Sequence, residues 1–140
     1  MTQDYAGDLT SREAWDMLSK DPEAVLVDVR SEPEWRYAGV PDLTPLEKQT
    51  VLVCWQTYPH MQHNPNFVAD LAAAGVRPDH KLLLLCRSGA RSRDAAVALT
   101  AHGYRTCYNV AGGFEGPRDA ARHRGTVDGW KAADLPWAQE

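Results

Sequence analysis

The chain has 140 residues, of which 44% are hydrophobic and 24% charged, and its formal net charge is −4 at pH 7. These values predict a single domain, residues 1–140, large enough to bury one packed core. The acidic balance argues against general nucleic-acid binding, which favours basic domains. The three cysteines form no closely spaced pair, so we expect a reducing compartment rather than a disulfide framework.

The amino-terminal residues and the apolar runs bear on location. Met1–Thr10 is short, polar and acidic, so it does not resemble a signal peptide. The purely apolar runs are far too short to span a bilayer. We therefore expect a cytoplasmic protein that has neither a membrane nor a nucleic acid as its partner.

The first elements along the chain are a helix and a strand. Thr10 and Glu13 have the spacing of a capping box, which predicts that a helix begins there. Ala24–Val29 is apolar and rich in β-branched residues, so it predicts a strand with Asp28 near its carboxyl end. The residues Ser31–Glu34 would then cap a short second helix.

The middle of the chain predicts a third strand and another helix. Thr50–Trp55 reads as the strand, and Tyr58–His63 as a loop over one end of the sheet. Asn64 followed by Pro65 predicts the start of a helix that Gly75 would end.

A run of leucines, Lys81–Leu85, predicts a fully buried strand, and Cys86 follows it directly. A tight loop and a helix to about Gly103 come next, and Arg105–Val110 predicts the last strand. Strands alternating with helices indicate an α/β fold with a central parallel sheet of about five strands and helices on both faces. Residues 115–129 predict either a short helix or an exposed loop. The tail would pack back on the body through Trp130, Leu135, Pro136 and Trp137.

Cys86 is the candidate nucleophile. It follows a strand and precedes a helix, and ligands of open α/β sheets bind at the carboxyl ends of strands. Helix N-termini and arginines favour the thiolate, and Arg87, Arg91 and Arg93 lie within this segment. Small residues at Gly89 and Ala90 would let backbone N–H groups converge on one anion. The pattern predicts a small anionic substrate that sulfur can attack; the alternative is a buried structural cysteine.

The other candidate groups have simpler interpretations. Cys54 and Cys107 lie in or near apolar strands and are expected to be buried structural residues, although a resolving cysteine is an alternative. His60 and His63 have no cysteine or acidic cluster beside them, so we expect surface-loop residues and no metal site. No cofactor is expected.

The loop resembles the active-site loop of rhodanese-type sulfurtransferases, and the similarity extends over most of the chain. The matching segments are Cys86-Arg87-Ser88-Gly89-Ala90-Arg91-Ser92, Asp28-Val29-Arg30, Ala38–Leu43, Asn109–Phe114, Gly129-Trp130 and Leu135-Pro136. Ser88 stands where thiosulfate-type loops often have lysine, so the resemblance leaves the identity of the donor open.

This resemblance implies a rhodanese-like fold and a two-step sulfur transfer. Cys86 would take the outer sulfur of thiosulfate or a related anionic donor as a persulfide and pass it to a thiol, to cyanide or to a sulfur-carrier protein. The loop residues Arg87, Ser88, Gly89, Ala90, Arg91 and Ser92 would bind the substrate, with Asp28 and Arg30 supporting them. Arg87 would contact the sulfonate, and Arg91 would either do the same or pair with Asp28.

Two other functions are also compatible with the sequence. Cysteine phosphatases place an arginine six residues after the cysteine, a position that Ser92 occupies here. The shorter spacing to Arg91 favours sulfur over phosphate as the transferred group. A non-catalytic rhodanese-like binding or regulatory module is the second alternative, and retention of Cys86 and the basic loop argues against it.

Overall fold

The computed structural model describes residues 4–57, 60, 62–124 and 128–139. In chain order the elements are β1 (Gly7–Leu9), α1 (Ser11–Lys20), β2 (Ala24–Asp28), α2 (Glu32–Ala38), β3 (Val40–Pro41), a 3₁₀ turn (Thr44–Leu46), β4 (Val51–Leu52), β5 (Gln56–Thr57), β6 (Gln62–His63), α3 (Phe67–Ala73), β7 (Lys81–Leu85), α4 (Ala90–Ala101), β8 (Thr106–Val110) and β9 (Trp137–Ala138). Five strands form one parallel sheet in the order β1-β8-β7-β2-β4.

Strand β7 lies in the middle of the sheet, and its side chains alternate between two cores, as the pleat of a strand requires. Leu82, Leu84 and Cys86 belong to the core that α3 and α4 cover. Leu83 and Leu85 belong to the opposite core, which contains residues of α1 and of the carboxyl-terminal segment. The predicted α/β fold, a parallel sheet of about five strands with helices on both faces, is confirmed.

The helix starts follow the local sequence signals in two cases. Thr10 caps α1, with its hydroxyl accepting the Glu13 N–H at 3.1 Å and the Glu13 carboxylate accepting the Thr10 N–H at 2.9 Å. Glu34 accepts hydrogen bonds from both the backbone N–H and the hydroxyl of Ser31 at the start of α2. Both predicted caps are therefore confirmed.

The third predicted helix begins later than expected. Asn66, not Asn64, precedes α3, which starts at Phe67. The Asn64 side chain instead accepts the Asn66 N–H and donates to the Cys54 carbonyl, at 3.0 Å each. A side chain that bridges two loops is not available as a helix cap, which explains the shift.

The predicted strand Thr50–Trp55 was too long, since β4 contains only Val51 and Leu52. The Val53 and Trp55 N–H groups still donate to the carbonyls of Asp28 and Val29, so the chain follows β2 beyond the regular strand. The strand is short because β4 lies at the sheet edge, where only one side has a partner strand.

Two further segments differ from the sequence expectation. The region Tyr58–His63, predicted as a loop, contributes β6, which pairs with β5 as an antiparallel hairpin; residues 58, 59 and 61 of that prediction lie outside the described residues. Strand β1 was not predicted, because its three residues in the polar amino-terminal segment carry no strand-like alternation.

The carboxyl-terminal segment forms turns in its described part, residues 115–124 and 128–129, so the loop alternative is correct there. Trp130 is fully buried, and its indole N–H donates to the Pro136 carbonyl at 2.7 Å. Its ring meets that of Trp15 in α1 edge to face. The tail therefore packs on the body, as predicted. Across the described ranges, no helix combines the length and the apolar character that crossing a bilayer requires.

Candidate active site

Cys86 sits at the carboxyl end of the central strand. Strand β7 is paired on both sides, and the Leu85 carbonyl accepts the Val29 N–H at 2.8 Å. The Cys86 side chain is 1% exposed and faces the core beneath α4. Because parallel strands pair on both flanks, the position of this cysteine is set by the sheet rather than by a mobile loop.

The loop after Cys86 turns sharply into α4 through Gly89. The Gly89 N–H donates to the Cys86 sulfur at 3.1 Å. Gly89 has φ +106°, and a Cβ there would lie 2.3 Å from the Ala111 carbonyl oxygen. Only glycine satisfies both conditions, because other residues disfavour this conformation and the contact is far below van der Waals distance.

The turn after β8 supports the loop from behind. The Phe114 N–H donates to the Cys86 carbonyl at 2.8 Å, and the Glu115 and Gly116 N–H groups donate to the Arg87 carbonyl at 3.0 Å. Gly113, with φ +68°, brings its backbone so close that a Cβ would lie 2.4 Å from the Arg87 oxygen. The two glycine-containing turns, after β7 and after β8, thus fit against each other.

The side chain of Ser92, at the end of the loop, contacts the Cys86 sulfur. Its hydroxyl oxygen lies 3.2 Å from the Cys86 sulfur and 2.6 Å from Oδ1 of Asn109, and its side chain is fully buried. Ser92 was predicted as one of the substrate-binding loop residues, and that role stays a prediction. The hydroxyl contact and the Asn109 partner were not predicted, although Asn109 stands within the segment Asn109–Phe114 that carries the family resemblance.

Arg91 forms a two-pronged ion pair with Glu34 of α2. The distances are 2.6 Å from Nη1 to Oε1 and 2.8 Å from Nη2 to Oε2. Burial of the Glu34 carboxyl opposes its ionisation, but hydrogen bonds from Arg91 and Ser31 outweigh it and lower the pKa to about 2. The alternative in which Arg91 pairs with Asp28 is wrong, because Asp28 is occupied by Arg30.

The same pair fixes the charge of Arg91. The hydrogen bond to Glu34 raises the pKa of the Arg91 guanidinium, and burial opposes this only in part. A guanidinium held in this way stays positively charged in the first turn of α4 without needing to close on a ligand.

Asp28 and Arg30 form a fully buried pair beneath the site. Arg30 Nη2 lies 2.7 Å from Asp28 Oδ2 and also 2.7 Å from the Gly39 carbonyl oxygen that accepts from it. The guanidinium stacks over the Phe114 ring at 4.2 Å. Since the Phe114 N–H bonds the Cys86 carbonyl, this pair contacts a residue that supports the loop.

The remaining predicted loop residues form the outer rim. Arg87, Ser88 and Ala90 are exposed, so the Arg87 guanidinium is accessible to an anion from solution. Two surface grooves of about 470 and 510 Å³ lie on either side of α2, and Cys86 lines neither. The exposed rim residues therefore adjoin the buried Cys86 in the chain and present the Arg87 cation to solvent.

The other cysteines differ from each other. Cys107 is buried as predicted, and desolvation raises the pKa of its thiol to about 11. Cys54, predicted to be buried, is only partly so. Burial also raises the pKa of the Cys54 thiol, so neither environment favours a thiolate.

Comparison with known proteins identifies the family of this chain. A family model described as "STR4 middle domain" matches residues 6–140. A protein of Actinobacillus succinogenes named thiosulfate sulfurtransferase GlpE is 31% identical over 92% of this chain and 87% of its own. The chain belongs to the rhodanese-like family.

Two further relatives of this rhodanese-like chain are similar over nearly its whole length. An uncharacterised protein of Rickettsia conorii is 36% identical over 92% of this chain and 94% of its own. The crystal structure of Rv0390 from M. tuberculosis superposes with a TM-score of 0.88 and 51% identity, covering 97% of this chain and 99% of that chain. The fold and the family are thus shown by both sequence and structure.

Proposed function

We propose that this rhodanese-like protein is a sulfurtransferase that carries a sulfane sulfur as a persulfide on Cys86. The donor is thiosulfate or a related small anion, and the acceptor is a thiol, cyanide or a sulfur-carrier protein. The observation that carries the proposal is the placement of the Cys86 sulfur, 3.1 Å from the Gly89 N–H at the start of α4.

In the first step the Cys86 thiol gives its proton to a base in solution, and the thiolate attacks the outer sulfur of the donor. A new S–S bond forms on Cys86, and the bond between the two donor sulfurs breaks with its electron pair leaving on sulfite. The N–H of Gly89 and the positive ends of the first peptides of α4 stabilise the negative charge on the sulfur.

In the second step the acceptor attacks the outer sulfur of the persulfide. The S–S bond breaks, and its electron pair returns to the Cys86 sulfur as a thiolate. Splitting the transfer into two displacements means that donor and acceptor never need to occupy the site together. One exposed rim around Arg87 is then sufficient for both.

The buried position of Cys86 and the engagement of Arg91 support sulfur rather than phosphate as the transferred group. In a phosphatase, the arginine after the cysteine clamps the phosphate with both guanidinium nitrogens. Here both nitrogens of Arg91 are bonded to Glu34. A compact sulfur donor needs no such clamp.

The test is to incubate the protein with thiosulfate and measure its intact mass and the sulfite released. We expect a gain of one sulfur atom that a thiol reverses, with sulfite appearing in equal amount. Cys86→Ser should abolish both, whereas Cys54→Ser, which removes a partly exposed cysteine, should retain both.

Absence of a persulfide with thiosulfate, mercaptopyruvate and a protein persulfide donor would contradict the proposal. Stoichiometric capture of a partner protein that persists in Cys86→Ser would instead support the non-catalytic module. Hydrolysis of an aryl phosphate without any sulfur transfer would support a phosphatase.

A further inference from the structure

A chain of hydrogen bonds runs from the Cys86 sulfur across three elements to strand β1. The sulfur contacts the Ser92 hydroxyl at 3.2 Å, which contacts Asn109 Oδ1 at 2.6 Å. Asn109 Nδ2 donates to Asp8 Oδ1 at 3.1 Å. Asp8 and Asn109 are direct partners in the register between β1 and β8, so backbone pairing places the two side chains together.

The carboxylate of Asp8, at the far end of this series of hydrogen bonds, fixes the direction of each of them. A carboxylate only accepts, so the Asn109 amide nitrogen faces Asp8 and its oxygen faces Ser92. The amide oxygen also only accepts, so the single hydroxyl hydrogen of Ser92 is donated to Asn109. What Ser92 then presents to Cys86 is an oxygen lone pair, and the hydrogen between them comes from the Cys86 S–H.

This arrangement suits a thiol and not an anion. A thiolate or a persulfide anion on Cys86 needs donors, and Ser92 can donate to the sulfur only by withdrawing its hydrogen from Asn109. The Gly89 N–H, by contrast, donates to the sulfur in either state. Asn109 and the sulfur therefore compete for one hydrogen.

We propose that Asn109, held by Asp8, is a positioning residue that acts through Ser92 and keeps Cys86 as a thiol until the sulfur takes the Ser92 hydrogen. The proposal rests on the sulfurtransferase function for its role in turnover, because the thiolate and the persulfide are the states of that reaction. Asn109 is 3% exposed and Ser92 is fully buried, so water does not replace either partner readily.

Apart from Asp8 at the end of the network, the charged groups on the elements around Cys86 lie outside it. They are Arg87 in the loop, Arg91 of α4 with its partner Glu34 of α2, the Asp28–Arg30 pair at the end of β2, and Lys131, which lies over the Phe114 ring. Substitutions at Asn109 or Ser92 leave all of them in place. A change in the reactivity of Cys86 on such substitution therefore reports the hydrogen-bond network.

The test measures the rate of Cys86 alkylation by iodoacetamide against pH, read at the Cys86 peptide by mass spectrometry. Asn109→Leu removes the competing acceptor, so we expect the midpoint of the profile about one pH unit lower and alkylation about tenfold faster well below it. Ser92→Ala removes both the acceptor of the thiol hydrogen and the donor to the thiolate, so its midpoint should lie above that of Asn109→Leu, in which the Ser92 hydrogen is free for the thiolate.

The double variant, Ser92→Ala with Asn109→Leu, distinguishes an effect of Asn109 through Ser92 from a general disturbance of the site. In the Ser92→Ala background, Asn109→Leu should have no further effect, because the hydrogen for which the two groups compete is gone. An equal shift in both backgrounds would overturn the proposal, as would an unshifted profile in a folded Asn109→Leu protein.

A second variant applies if Asn109→Leu does not fold. Asp8 is exposed, and Asp8→Ala frees the Asn109 amide to turn its nitrogen toward Ser92, so the midpoint should again fall. Asp94→Ala removes an exposed carboxylate from α4 and serves as the charge-matched control. Equal shifts in the two variants would contradict the proposal. Alkylation needs no sulfur donor, so this result stands apart from success or failure of sulfur transfer.

Discussion

At the scale of single residues, the site depends on an ion pair that the sequence did not reveal. Glu34 lies 57 positions before Arg91 and serves two functions at once. It completes the capping of α2 through Ser31 and holds the Arg91 guanidinium in the first turn of α4. Its side chain is about 20% exposed, and that of Arg91 18%, so the pair is only partly screened by solvent.

This pair predicts a dependence of stability on pH. The pKa of Glu34 falls from 4.5 in its ordinary state to about 2 in the folded protein, so its contribution is complete above pH 4.5 and is lost as the pH falls toward 2. In urea unfolding at pH 7, Glu34→Gln should cost about 1–2 kcal/mol, less than an unscreened pair would give. The cost should shrink as the pH approaches 2.

Glu32→Gln is the matched control for that experiment. Glu32 pairs with Arg36 on the same helix at 3.2 Å, but both side chains are mostly exposed. Its loss should change the free energy of unfolding by less than about 0.5 kcal/mol. Equal effects of the two substitutions at pH 7 would contradict the role assigned to Glu34.

At the scale of elements, the entry into α4 determines where the nucleophile's donors lie. Gly89 combines a left-handed backbone with a contact to Ala111 that leaves no room for a side chain. Helix α4 then continues to Ala101 and covers the core face that contains Cys86. The Gly89 N–H therefore reaches the sulfur only when the turn, helix α4 and strand β7 all keep their positions relative to one another.

Gly89→Ala tests this requirement, and Gly103→Ala is its control. Gly103 has φ +104°, almost the same as Gly89, but a Cβ there would have nothing within 4 Å. We expect Gly103→Ala to cost about 1 kcal/mol from the backbone conformation alone. Gly89→Ala should cost at least about 2 kcal/mol more because the loop or the β8 turn must move.

Urea unfolding measures both costs, and the thiosulfate mass shift then shows the effect on the site. Gly103→Ala should still accept sulfur, whereas Gly89→Ala should lose most of this capacity because the N–H is displaced from Cys86. Similar stability and similar sulfur loading in the two variants would show that the contact with Ala111 is easily relieved.

At the scale of the whole molecule, the carboxyl-terminal segment joins the two regions that frame the site. The Trp130 N–H donates to the Gly113 carbonyl at 2.8 Å, and the Lys131 N–H to the Phe114 carbonyl at 3.1 Å. Trp130 also packs on Trp15 of α1. The segment therefore ties the turn behind the Cys86 loop to the opposite core.

Trp130→Ala should destabilise the protein by about 3–5 kcal/mol, since it removes a fully buried aromatic side chain. Trp137→Ala is the comparison, because Trp137 is 42% exposed while it contacts Phe114 and Lys131. It should cost about 1 kcal/mol. Denaturant midpoints measure the loss of stability in the two variants. Equal losses would contradict the anchoring role of Trp130.

The sequence predicts the central strands of the sheet well and its edge strands poorly. Continuous apolar runs mark β2 and β7, because strands buried on both faces need apolar residues throughout. The edge strands β1 and β4 contain three and two residues, so they leave little pattern to detect.

The candidate site likewise has one part that the local sequence predicts and another that depends on the tertiary fold. The position of Cys86 before a tight loop follows from neighbouring residues, and local sequence could predict it. The partners Glu34, Asn109 and Asp8 come from distant segments, and only the strand order and register bring them together. The alternative in which Arg91 pairs with Asp28 was wrong, because Arg30, two residues away in the chain, binds that carboxylate and Arg91 binds the distant Glu34.

The order of strands also has a consequence for how the protein is made. Strand β7 lies between β2, which is synthesised long before it, and β8, which is synthesised after it. The turn that binds the carbonyls of Cys86 and Arg87 comes later still, at residues 113–116. Contacts of such long sequence separation form slowly. During translation, Cys86 therefore leaves the ribosome after β2 but before the turn that binds its carbonyl, so the loop lacks that support until residues 113–116 have emerged.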